Sequence, residues 1–142
     1  MIILNTLIEN ISFEFRSEIN TYRERFINSN LDDLIDDLST RSYEDIIGFL
    51  PLIMIAMLQN VKVEIYSNNS EMIYYLLDGN GRDPDLNRRA KIIFDSLNSV
   101  QRECVYRFLK FFNDMEIEQY AHKDLASCVE YWDSAHHSFP DK

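Results

Sequence analysis

Apolar residues recur three and four positions apart along nearly the whole of this chain, and that spacing leaves little room for anything but helix. Leu4, Ile8, Ile11, Phe15, Ile19, Tyr22 and Phe26 step by four, three, four, four, three and four. Such steps place all seven on one face of a single continuous α-helix. The same rhythm returns in Leu31, Leu34, Ile35 and Leu38, and in Leu86, Ala90, Ile93, Phe94 and Leu97. It returns again in Cys104, Val105, Phe108, Leu109 and Phe112, and in Leu125, Cys128, Val129 and Trp132. One stretch departs from it: Val61, Val63 and Ile65 alternate with Lys62, Glu64 and Tyr66. A strand needs a second strand to pair with, and no other segment has period two, so this stretch reads as helix or irregular chain. The expectation is an all-α fold, a single-domain helical bundle of about six to eight helices covering residues 1–142.

Local signals divide the pattern. Asn28-Ser29-Asn30 stops the first long helix, and Asn30 or Ser29 caps the short segment Leu31–Leu38. Ser42-Tyr-Glu-Asp45 resembles a capping box with Asp in place of Glu or Gln. The helix it opens should end near Gly48, with Pro51 starting the next one, Leu52 to Gln59. That next helix is apolar almost all round and should be the centre of the bundle. Ser70 caps a helix carrying Met72, Ile73, Leu76 and Leu77, which Asp78-Gly-Asn-Gly81 closes. Asn98-Ser-Val-Gln101 is a second capping-box signal, and the tail from Ser134 should fray.

Charge is strongly biased. The formal net charge is −10, and residues 1–50 hold ten acidic against four basic side chains, a net of −6. An acidic N-terminal third repels nucleic acid and anionic membrane and attracts a basic partner. Hydrophobic residues make up 46% of the chain, enough to exclude disorder. No apolar run reaches the ~20 residues that span a bilayer. The N-terminus has neither a basic flank nor a small-residue cleavage site, so a cytoplasmic protein is expected. Cys104 and Cys128 fall within apolar helical patterns and should be buried, reduced thiols.

The charge is densest in Leu31-Asp-Asp-Leu-Ile-Asp-Asp-Leu38. Its apolar residues face one way, so Asp32, Asp33, Asp36 and Asp37 face the other. Aspartate is a poor interior helix former, and like charges four apart repel. The arrangement therefore costs folding energy. The plain reading is a solvated helix face. The functional reading is a docking surface for a basic protein, with Glu44 and Asp45 as its rim.

Other chemistry finds little footing. Glu118 with His122, and Asp133 with His137, have the i, i+4 spacing of metal ligands. They lie on a helix flank and in the tail with His136, too peripheral to hold a metal, so no metal and no cofactor are expected. The aspartate quartet lacks the loop pattern of a calcium site. Gly79-Asn-Gly81 has no preceding strand and no following Lys-Ser/Thr, so it is no phosphate cradle. Arg82, Arg88, Arg89 and Lys91 form a basic cluster without interleaved aromatics. They should pair with the protein's own carboxylates rather than with nucleic acid. Neither cysteine has a local histidine, and no Gly-x-Ser-x-Gly occurs, so no catalytic residue is assigned.

The segment Phe94-Asp-Ser-Leu97-Asn98-Ser-Val-Gln101-Arg-Glu-Cys-Val105-Tyr-Arg-Phe108-Leu109, with Phe49-Leu-Pro51 upstream, is similar to a pattern in uncharacterised helical bacterial proteins. That group implies no activity. In size, acidity and helical make-up the chain also resembles the immunity proteins of bacterial toxin–immunity systems of the contact-dependent inhibition type. This second resemblance carries no family residues onto the chain. It implies a non-catalytic inhibitor that occludes a toxin domain, often a basic nuclease. The expected partner is thus a basic protein meeting Asp32, Asp33, Asp36, Asp37, Glu44 and Asp45. A generic interaction or regulatory domain is the alternative, and an enzyme with an unrecognised site the third.

Overall fold

The computed structural model describes residues 2–59, 73–74, 76–115 and 122–138. Among them the chain forms seven helices and no strand: α1 (Ile2–Glu14), α2 (Arg16–Ile27), α3 (Leu31–Leu38), α4 (Tyr43–Gln59), α5 (Pro84–Ser96), α6 (Ser99–Met115) and α7 (His122–Ser138). The fold is all-α. Ile73, Tyr74, Leu76 and Leu77 are helical too and buried. The run Val61–Tyr66 and the cap at Ser70 lie outside the described residues. None of the described helices is long and apolar enough to cross a membrane. The chain forms two compact units, residues 1–69 and 70–142.

In the first unit the apolar stripe behaves as its spacing requires. Ile11, Phe15, Ile19 and Tyr22 are buried, whereas Leu4, Ile8 and Phe26 at its two ends are half-buried, and Leu7, off the expected stripe, is buried. The expected single helix is nevertheless two. At Phe15 the backbone opens to φ −111°, ψ 22° with no side-chain cap. The Arg16 side chain folds back, donating from Nη1 to the Phe13 carbonyl at 2.8 Å and covering the Phe13 ring at 4.3 Å. The two helices still share Phe15 through main-chain bonds: its N–H donates to the Ile11 carbonyl, and its carbonyl accepts from the Ile19 N–H. The stripe therefore keeps its face through the interruption.

Helix α4 corrects the expected boundary at Gly48 and Pro51. It runs unbroken from Tyr43 to Gln59 through both residues. A proline inside a helix costs about 3 kcal/mol, because it removes an N–H and crowds the carbonyl four residues back. That cost is offset by burial: Phe49, Leu50, Ile53, Met54 and Leu58 are each at most 1% exposed. Full burial of one such side chain is worth ~1.5–3 kcal/mol. Gly48 is not a stop either. A Cβ there would overlap the Tyr22 ring, so glycine is what lets α2 and α4 approach. Helices α1, α2 and α3 all pack on α4, which makes α4 the hub of this unit.

The second unit is built on α6 against α7. Asn98 and Gln101 form a reciprocal capping box at the start of α6. The Gln101 N–H donates to Asn98 Oδ1 at 2.8 Å, and the Asn98 N–H donates to Gln101 Oε1 at 3.1 Å. Arg102 ties α6 to the end of α5, donating from Nε to the Phe94 carbonyl at 2.9 Å. Asp83 caps α5, with Pro84 in its first turn. The Trp132 indole lies 5.0 Å from the Phe94 ring and donates to the Leu77 carbonyl at 2.8 Å. Beside it, the Tyr131 ring lies where a Gly79 Cβ would go, which explains a glycine in that turn. Buried Asp78 accepts from the Asn80 N–H at 2.8 Å and from the Ser127 hydroxyl at 3.0 Å. Cys104 and Cys128 are both buried, as their positions required, and neither forms a disulfide. Helix α7 continues to Ser138, so the backbone from Ser134 to Ser138 is helical rather than frayed.

Candidate functional site

Helix α3 is set in place by its own ends and its apolar face. Asn30 caps it, accepting the Asp33 N–H on Oδ1 at 3.1 Å and the Leu34 N–H on its carbonyl at 2.9 Å. Leu34, Ile35 and Leu38 are 2%, 4% and 1% exposed, so this face is fully committed to the core. At the far end the Arg41 N–H bonds the Leu38 carbonyl, and Thr40 bonds the Asp37 carbonyl through both its N–H and its hydroxyl. With one face buried and both ends fixed, Asp33, Asp36 and Asp37 are left exposed on the other side. Asp32 belongs to the same helix, and its side chain lies outside the described residues.

The short length of α3 sharpens the electrostatic cost. The helix ends at Leu38 with no basic residue in its last turn. Asp36 and Asp37 therefore sit at the negative end of the helix dipole, not in the first turns where the dipole would favour them. Asp33 and Asp37 are also four apart, a repulsive spacing for like charges.

The carboxylates of α5 and α6 are treated differently. Asp85 pairs with Arg88 at 2.9 Å, Asp95 with Lys91 at 2.9 Å, Glu103 with Arg107 at 2.7 Å and Asp114 with Lys110 at 3.2 Å. Two members of the basic cluster, Arg88 and Lys91, are thus satisfied within their own helix. Among the described residues, no ion pair involves Asp33, Asp36, Asp37 or Glu44. Glu44 is exposed at the start of α4, and its carbonyl accepts from the Tyr22 hydroxyl at 3.3 Å.

Asp45 has a different position from its neighbours in sequence. Its N–H is capped by Ser42 Oγ at 3.2 Å, half of the capping box. Its carboxylate turns inward, accepting from the Tyr22 hydroxyl at 3.0 Å and from Arg25 Nη2 at 3.3 Å, with Arg41 Nη1 at 3.8 Å. Burial alone would raise its pKa. The Tyr22 hydrogen bond and the two guanidinium groups outweigh burial and hold the carboxyl below its ordinary range. Burial, the same hydrogen bond and the charges of Asp45 and Glu44 push the Tyr22 phenol up, against an opposing pull from Arg25.

Phe49 forms the floor of this cluster. Its ring meets Tyr22 edge to face at 5.0 Å, and Arg25 and Arg41 lie over it at 5.1 and 5.5 Å. Arg41 Nε is buried without a hydrogen-bond partner among the described residues. The site residues named from sequence thus divide in two. Asp33, Asp36, Asp37 and Glu44 face solvent, whereas Asp45 joins α2 to α4. Sequence reasoning missed Tyr22, Arg25 and Phe49. The i, i+4 spacing of Arg41 and Asp45 was the one legible hint of the cluster.

The histidine side chains and Glu118 lie outside the described residues. Among the described residues, no three of His, Cys, Asp and Glu come together as a metal would require. Compared with protein-family models, with curated proteins and with solved structures, the chain shows no significant match.

Proposed function

We propose that this chain is a non-catalytic binding protein that docks a basic protein partner on the exposed face of α3. The contacting groups are Asp32, Asp33, Asp36 and Asp37, with Glu44 on the rim. Asp45 acts from behind them, holding α2 against the start of α4. One observation carries the reading. Asp33, Asp36 and Asp37 stay exposed and, among the described residues, form no ion pair, while this chain pairs its carboxylates on α5 and α6 with nearby cations. A partner supplying Lys or Arg would relieve that repulsion on binding. Its gain would be largest in association rate and in selection against acidic competitors.

Within this class the best-supported role is that of an immunity protein, acting in the cytoplasm. The face would occupy the basic cleft where a nuclease toxin expects phosphate groups. The chain's net charge of −10 and its all-helical build support this reading. The test is protection. A host expressing the toxin domain encoded beside this gene should die without the chain and grow with it. If no neighbouring toxin is neutralised, the immunity role falls and a general interaction domain replaces it.

A further inference from the structure

We draw no further inference here: the strongest candidate, the exposed apolar side chains of Ile27 at the end of α2 and Tyr43 at the start of α4, carries nothing, because nothing in the structure shows what covers them.

Discussion

Replacing Gly48 with alanine separates local helix preference from packing, because the two demand opposite signs. In a helix interior, alanine is favoured over glycine by about 1 kcal/mol. On propensity alone, Gly48→Ala should therefore stabilise the protein. The structure requires the reverse, since the added Cβ would overlap the Tyr22 ring. Tyr22 is 8% exposed, edge-to-face with Phe49, and bonded to Asp45, so it has nowhere to retreat without giving something up. Overpacking a close contact costs ~1–3 kcal/mol. Pulling Tyr22 off Asp45 forfeits a hydrogen bond to a charged group, ~1.5–3 kcal/mol. Only part of each is lost, and the propensity gain is subtracted, leaving a net destabilisation of about 1–3 kcal/mol. Urea unfolding followed by circular dichroism reads this as a lower midpoint at unchanged slope. A double-mutant cycle makes the argument strict. In a Tyr22→Ala background the clash is gone, and Gly48→Ala should then stabilise by up to about 1 kcal/mol. If Gly48→Ala is neutral or stabilising with Tyr22 in place, the packing account of that glycine is wrong.

Two further outcomes follow from the caps and charges. Asn98→Ala removes half of the reciprocal box at the start of α6 and should cost about 1 kcal/mol in urea unfolding, while exposed Ser99→Ala stays within about half of that. Asp45 is held below its ordinary pKa of 3.8, so its contribution is fully present above the unfolded carboxyl's value and is lost as pH falls through the lower folded one. The stability gap between wild type and Asp45→Asn should be constant at neutral pH and shrink below pH 3.8; a gap that widens on acidification would contradict the assigned network.

What sequence conveyed here was whatever depends on neighbours three or four residues apart. The stripe from Ile11 to Tyr22, the Asn30 cap and the Asn98–Gln101 box all depend on groups within one or two turns of one another, and all appear in the structure. The same local logic misplaced the end of a helix at Gly48. Glycine and proline usually punctuate a chain, but here Gly48 makes room for a ring 26 residues earlier in sequence. Pro51 is carried by a helix whose burial exceeds the cost of one lost bond. The break at Phe15 has no signal in the apolar spacing, which runs through it without interruption. At the candidate site, the outward face of α3 was legible from the spacing of Leu34, Ile35 and Leu38. The inward turn of Asp45 was not, since its Tyr22 and Arg25 partners lie 23 and 20 residues away.

The most direct measurement is the salt dependence of binding for wild type and for a variant with Asp32, Asp33, Asp36 and Asp37 all changed to Asn. The partner to use is a basic toxin domain against which the wild-type chain proves protective, and calorimetry at a series of salt concentrations gives the affinity. Removing one acid from the desolvated centre of such an interface costs ~2–5 kcal/mol, whereas rim charges mainly set the association rate. The account expects the variant to bind far more weakly and with a shallower salt dependence. It also expects the helical spectrum to be unchanged and stability to be equal or slightly higher, because a repulsive cluster has been removed. A variant that binds as tightly as wild type, with the same response to salt, would show that α3 presents only a solvated surface.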